Sequence, residues 1–149
     1  MYGRAVVVKL RDAELDDRDL LQRLLAEYLF EFDGRTAPYP YLDAYWNEPG
    51  RLPLLIEVDG QIAGLCLIRR RDDGGWSIAE FSVVRDRRRG GVGAGALEAL
   101  VARARSEGAA YLEAKVHPAN RGALPFWLAV GFSEIEGPGT GVTVTRRPL

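Results

Sequence analysis

Arg87, Arg88 and Arg89 are followed by Gly90, Gly91, Val92, Gly93, Ala94 and Gly95. The chemistry such a stretch offers is anion binding. A strand pattern over residues 78–84 leads into it, and a helix pattern over residues 92–107 leads out. Glycine in a helix interior costs about 1 kcal/mol relative to alanine. Gly91, Gly93 and Gly95 in the first turns therefore need an offset, and the usual one is close approach of a ligand to bare backbone. The first amides of a helix have no partner within it, and the helix dipole favours an anion there. Strand, basic glycine loop and helix N-terminus together describe a phosphate cradle. A P-loop needs Lys-Ser or Lys-Thr after its last glycine, and Ala96-Leu97 stand there. The dinucleotide fingerprint needs a glycine at position 96 and a strand leading directly into Gly91, and it has neither. The alternative reading is a helix packed tightly on its sheet through small residues.

The elements that must hold this loop can be read in order. Ala5, Val6, Val7, Val8, Lys9 and Leu10 form a first strand. Asp16 or Asp17 caps a helix whose Leu20, Leu21, Leu24, Leu25, Tyr28 and Leu29 share one face. A break follows over residues 31–40, then an aromatic-dense stretch over residues 39–46. Strands over residues 52–58 and 61–69 are joined by Asp59-Gly60 in a primed hairpin turn. Asp72-Asp73-Gly74-Gly75 turns into a fourth strand, residues 76–84. The helix over residues 92–107 ends at Gly108. A fifth strand spans residues 110–117, and the helix between implies a right-handed crossover with strands four and five parallel. A helix over residues 123–130 ends at Gly131. Residues 132–135 and 142–146 form a tail hairpin through residues 137–141. The fold class expected is α+β: a mixed, mostly antiparallel sheet with helices on both faces.

Composition sets outer bounds. The chain has 149 residues, 47% hydrophobic and 28% charged, with formal net charge -1. That length suits a single domain, residues 1–149. The small net charge offers no global field for nucleic acid or an anionic membrane, and neither partner is expected. One cysteine, Cys66, excludes an internal disulfide and is compatible with a reducing compartment. With no signal-peptide pattern and no apolar run near 18 residues, the expectation is a cytoplasmic protein without a membrane span.

Two motifs carry a resemblance. Arg88-x-x-Gly91-x-Gly93 resembles the acyl-CoA-binding motif of the GNAT family of N-acetyltransferases, Gln/Arg-x-x-Gly-x-Gly/Ala. Asn120-x-x-Ala123-x-x-Phe126-Trp127-x-x-x-Gly131-Phe132 resembles the family's Asn-x-x-Ala-x-x-Phe-Tyr-x-x-x-Gly-Phe segment. The match is good over residues 78–132. Residues 39–67 also look like a bacterial GNAT subgroup. The resemblance implies acetyl-CoA as cosubstrate, no metal, and acetyl transfer to a primary amine by a monomer or homodimer. A non-catalytic acyl-CoA-binding or protein-interaction module on the same fold is the alternative. It also implies roles. Backbone at Val83 and Val84 pairs with the pantetheine arm. Amides over residues 88–94 (Arg88, Arg89, Gly90, Gly91, Val92, Gly93, Ala94) bind the diphosphate. Asn120 touches the pantetheine arm, and the helix with Ala123, Phe126 and Trp127 packs along it. For the cofactor to enter, strands four and five must splay, and the amide-rich arm would satisfy the edges so exposed.

Two departures stand out. Trp127 occupies a position where many members carry a tyrosine that protonates the leaving thiolate. Indole has only a donor NH with no useful acidity, so packing is its expected role. Pro125 lies inside the second motif's helix and is tolerated only in the first turn, which places the helix start near Gly122 or Ala123. Transfer to an amine needs a base for the ammonium proton. Glu80, mid-strand, is the candidate base or amine anchor. On simple alternation it shares a face with Ile78, Ser82 and Val84. The competing reading pairs it with Arg69 or Arg70. Glu57, Glu113 and the lone His117 are weaker candidates, and Cys66 reads as a buried structural thiol. Tyr39, Tyr41 and Trp46 are expected either as a wall of the acceptor pocket or as a lid over the core.

Overall fold

The computed structural model describes residues 6–34, 36–137, 139 and 141–149. Its first strand, β1, spans Val8–Asp12, later than the β-branched run suggests. Ala5 lies outside the described residues, and Val6 and Val7 are exposed. Pairing decides the register. Val8 faces Val58 and Asp12 faces Leu54, so β1 begins where β2 ends. Helix α1, Arg18–Asp33, buries Leu21, Leu25 and Leu29 at four-residue spacing. It runs through the break expected at Glu31 and stops at Gly34, whose φ of 75° gives the left-handed C-terminal turn. Asp17 stands at its N-cap without a capping hydrogen bond. Its carboxylate instead accepts from Arg11 at 3.0 Å and from the Glu14 amide at 2.9 Å.

A one-turn helix α2, Ala44–Asn47, precedes the meander β2 (Arg51–Val58), β3 (Gln61–Arg70) and β4 (Trp76–Val83). Asp59 and Gly60 both have positive φ, 52° and 80°, as a primed hairpin turn requires. Helix α3, Val92–Ser106, returns the chain to β5, Tyr111–Val116. Helix α4 is Ala123–Ala129, which puts Pro125 in the first turn. Strands β6, Ser133–Glu136, and β7, Thr143–Pro148, close the chain. Of the turn expected between them, Pro138 and Thr140 lie outside the described residues.

The seven strands lie in the order β1-β2-β3-β4-β5-β7-β6. Every neighbouring pair is antiparallel except β4 and β5. Alternation along β3 sorts the core into two layers. Cys66 and Ile68 pack with Leu97 and Leu100 of α3 and Trp127 of α4. Leu65 and Leu67 pack with Leu21 and Leu25 of α1 and with Tyr45. Helices thus cover both faces, α1 on one and α3 with α4 on the other. Glu113 of β5 is a buried carboxylate, held by Arg71 at 2.6 Å and Arg146 at 2.7 Å. Such a charge persists inside only when paired. Among the described residues no helix is long and apolar enough to cross a membrane.

Candidate active site

Strands β4 and β5 begin together and then part. Their ladder runs only from Trp76–Leu112 to Ile78–Ala114, while β4 continues to Val83 and β5 to Val116. The facing edges beyond Ile78 have no strand partner on that side, and backbone polar groups need partners. A cleft of about 720 Å³ opens along this gap and crosses the sheet. Tyr28, Glu31 and Phe32 of α1 line it from one face, and Gly93, Phe126 and Trp127 from the other.

The loop after β4 shapes the wide end. Gly91 caps α3 with φ 82°, and Arg89 is one of two non-glycine residues with positive φ among those described. The Gly95 amide donates to the Gly91 carbonyl at 2.9 Å, the first bond of the helix. The amides of the three residues between begin the helix without partners inside it. Arg88, Arg89, Gly91, Gly93 and Ala94 line the cleft. Gly90 does not, and the Val92 side chain is buried against Ile56, Val58 and Ala96. The three glycines have separate reasons. Gly91 needs its left-handed φ. A Cβ on Gly93 would stand 3.1 Å from the Phe126 ring, and one on Gly95 would stand 2.8 Å from Val8 Cγ2. Gly95 therefore serves packing on β1, which corrects the reading that all three bare the backbone for a ligand.

The arginines divide likewise. Arg87 donates to Gln61 at 2.8 Å. Arg88 grips both carboxylate oxygens of Glu31, one at 3.0 Å, and its Nε donates to the Val83 carbonyl at 2.9 Å. Arg88 chiefly, and Arg85 at 3.6 Å, hold the Glu31 carboxyl below its ordinary range. The Val84 amide bonds back to Ala63 at 2.8 Å, so Val83, not Val84, turns its backbone toward the gap. Val84 lines a second cavity of about 550 Å³ beside α1. Asn120, Ala123, Phe126 and Trp127 all reach the main cleft. Trp127 is buried in a ring cluster, its centroid 5.4 Å from Phe81, 5.0 Å from Phe126 and 4.9 Å from Phe132.

Glu80 lines the cleft, on one face with Ser82 as alternation expects, but not with Ile78. The β3–β4 register jumps between Leu67–Glu80 and Ile68–Ile78, leaving Ala79 as a bulge. Ile78 packs toward α3, whereas Glu80 stands opposite Leu67 on the α1 face. A bulge re-aims a side chain in this way. Burial first, then the nearby Glu80 carboxylate, pushes the Tyr39 phenol up and keeps it neutral. Arg70, one expected partner of Glu80, is committed to Glu107 at 2.8 Å and lies over Trp76.

The weaker base candidates are engaged elsewhere. Glu57 accepts from Arg11 at 2.6 Å, and Glu113 is held by its two arginines. His117 Nδ1 accepts from the Ala119 amide at 3.1 Å, and its ring meets Phe32 edge-on at 5.7 Å. Cys66 is fully buried, and burial pushes its thiol up. Tyr39, Tyr41 and Trp46 do not line the cleft. Tyr39 packs in the core beneath α1, Tyr41 is 64% exposed, and the Trp46 indole donates to the Ala13 carbonyl at 3.1 Å. The rings at the cleft are instead Tyr28 and Phe32, one helical turn apart. Their spacing was readable, but the break expected at Glu31 concealed that the helix carries both. Lys115 also lines the cleft. Its signal is a lone cation in an otherwise core-facing strand.

Residues 18–132 match the family model for the acetyltransferase (GNAT) family. The chain belongs to that family, which makes it an acyltransferase. An acetyltransferase from Thermus thermophilus superposes with a TM-score of 0.81 at 24% identity, covering 96% of this chain and 97% of that one. A GNAT-family acetyltransferase from Staphylococcus aureus gives 0.79 at 16% identity, over 95% and 99%. A PaiA N-acetyltransferase from Thermoplasma acidophilum, solved with coenzyme A, gives 0.77 at 12% identity, over 95% and 99%. A search of curated proteins returns no sequence match.

Proposed function

We propose that this chain transfers an acetyl group from acetyl-CoA directly to a primary amine. The observation that carries the reading is the early end of the β4–β5 ladder at Ile78–Ala114, which opens one cleft to both faces of the sheet. The donor set in that cleft fits the cosubstrate. Val83 offers backbone to an amide-rich arm, and the first amides of α3, with Arg88 and Arg89, suit a diphosphate. Phe126 and Trp127 supply an apolar wall along the arm. Acetyl-CoA brings the activated thioester.

The chain supplies position and a proton acceptor. Glu80 takes the ammonium proton, directly or through water, and so presents a neutral amine. The amine nitrogen then bonds to the thioester carbonyl carbon as the carbon–sulfur bond breaks. Coenzyme A leaves as the thiolate, and the second amine proton passes to that thiolate directly or through water. Backbone amides beside the carbonyl stabilise the oxygen that gains charge. The indole of Trp127 does not protonate the departing sulfur.

Thermal unfolding with acetyl-CoA, CoA and ATP in parallel tests the reading. Ligand at about 100 times its dissociation constant stabilises by roughly 2.7 kcal/mol. Both CoA ligands should raise Tm by several degrees and ATP should not. An unchanged Tm with both would reject the cofactor half. Thiol release with an amine panel then tests transfer.

A further inference from the structure

We propose that the two adjacent arginines of the glycine loop serve different halves of the cleft: Arg89 meets the cosubstrate's diphosphate, and Arg88 is a positioning residue that braces α1, the acceptor's wall, through Glu31. This rests on the acyl-transfer reading and divides the work within the same site. The first observation is saturation. A guanidinium carries five N–H donors on three nitrogens. The Arg88 Nε donates to the Val83 carbonyl at 2.9 Å, and its two terminal nitrogens each donate to one oxygen of Glu31. Every nitrogen is thus engaged, and a two-pronged grip on a carboxylate fixes geometry as well as charge.

The second observation is direction. Glu31 belongs to α1, which covers the face opposite α3 and α4. Arg88 lines the cavity beside α1 as well as the main cleft, with Leu24 of α1 and Leu65 of β3. Arg89 lines the main cleft only, and among the described residues none of α3 lines the cavity beside α1. The Arg88 guanidinium is therefore carried past the edge of β4 to the α1 face, away from the first amides of α3. What it grips there needs holding. The last buried anchor of α1 is Leu29, and helix ends fray. Glu31 lies beyond that anchor, between Tyr28 and Phe32, the two rings that α1 turns to the cleft. A clamp at Glu31 sets how far both rings stand from the gap.

The third observation is Arg89 itself. Arg87 is engaged by Gln61 and Arg88 by Glu31, whereas Arg89 makes no hydrogen bond or ion pair among the described residues, although it lines the cleft. Its φ of 64° lies in the left-handed region, which non-glycine residues seldom adopt. The other such residue among those described, Asp59, sits in a primed hairpin turn that demands it. Arg89 serves no hairpin, and backbone held in this way concentrates at ligand sites. It stands directly before Gly90 and Gly91, where the chain turns into α3.

The test is calorimetric titration of CoA and dephospho-CoA into the wild type, Arg89→Gln, Glu31→Gln, and the double variant Arg88→Gln with Glu31→Gln. The double variant removes the pair without leaving either charge unanswered. Arg89→Gln should weaken both ligands roughly tenfold or more, the scale of one charge-assisted hydrogen bond. Dephospho-CoA keeps the diphosphate and lacks the ribose phosphate, so weakening of CoA alone would overturn the diphosphate assignment. Glu31→Gln and the double variant should bind CoA as the wild type does. Tighter binding in Glu31→Gln would show a released Arg88 reaching the phosphates, and weaker binding in the double variant would show it already there; either overturns the brace. Hydrogen exchange reads the brace directly. Amides over residues 30–34 should exchange faster in the double variant and those over residues 92–98 should not. With the best amine of the panel, the KM for amine should rise while the KM for acetyl-CoA holds, a split that lost stability does not produce. Unchanged exchange, or an unmoved amine KM, would overturn the positioning role. Wild-type protein that binds no CoA overturns the transferase reading and this assignment together, whereas binding with the wrong variant pattern overturns this assignment alone.

Discussion

At the scale of single residues, the glycines of the loop distinguish cradle from packing. Gly95→Ala puts a methyl group 2.8 Å from Val8 Cγ2. Overpacking of that kind typically costs about 1–3 kcal/mol. The expected outcome is a lowered Tm with CoA affinity unchanged. Gly91→Glu and Gly93→Glu place bulk and negative charge where a diphosphate would bind. They should abolish the CoA-induced Tm shift, and normal CoA affinity in both would dismiss the cradle. Glu80→Gln keeps shape and removes the proton acceptor. General-base loss costs on the order of 10²–10⁴ in rate, so kcat should fall by about 10² or more, with the KM for acetyl-CoA held. A loss under about threefold would make Glu80 an amine anchor only.

At the scale of elements, ion pairs fasten the strands to the helices. Arg103 of α3 bonds Asp12 of β1 at 2.7 Å and Glu107 at 2.6 Å, and Arg70 of β3 bonds Glu107 at 2.8 Å. The arginine bonds hold Asp12 and Glu107 below their ordinary carboxylate range. A carboxylate whose folded pKa is depressed contributes stability above its unfolded pKa. It loses that contribution as pH falls through the folded value. Tm should therefore be level above about pH 5 and fall below about pH 4. Because the groups are only partly buried, 1 M salt should flatten the fall. The double variant Asp12→Asn with Glu107→Gln should lose part of the acid slope, and an unchanged slope would show that other carboxylates dominate it.

The elements also show what the sequence made legible. The motif-bearing core, β4, α3, β5 and α4, was readable because glycine, proline and alternation each have one local meaning there. The edges were not. The register of β1 is fixed by Val58 across the sheet, not by its own β-branched residues. The end of α1 is fixed by Gly34, three residues past the point where polarity suggested a break. The separation of Glu80 from Ile78 was hidden by the Ala79 bulge, a one-residue slip that period-two reasoning does not contain. Tyr41 looked like a pocket ring, yet aromatic density alone does not say which way a ring turns.

At the scale of the whole molecule, the cleft decides the order of chemistry. It passes through the sheet, with the cradle and Phe126 on the α3 and α4 side and Tyr28, Phe32 and Glu80 on the α1 side. On the proposed reading, cosubstrate and acceptor would approach from opposite faces and be held together, and direct transfer would need no covalent enzyme intermediate. A covalent route would turn first to Cys66 or Ser82, and the structure treats them differently. Cys66 is fully buried with its thiol pushed up, which removes the thiolate needed for attack. Ser82 does line the cleft, but attack by a serine hydroxyl needs an adjacent base. His117 does not line the cleft and its Nδ1 is occupied by the Ala119 amide, which leaves Glu80, two residues along the strand and also lining the cleft, as the base such a route would need. Initial rates with acetyl-CoA and amine varied together should give intersecting double-reciprocal lines. Ser82→Ala should keep that pattern and lose less than about tenfold in kcat/KM, well short of a missing nucleophile. Parallel lines that depend on Ser82 would replace direct transfer with an acyl-serine route and move the function of the cleft to one face of the sheet.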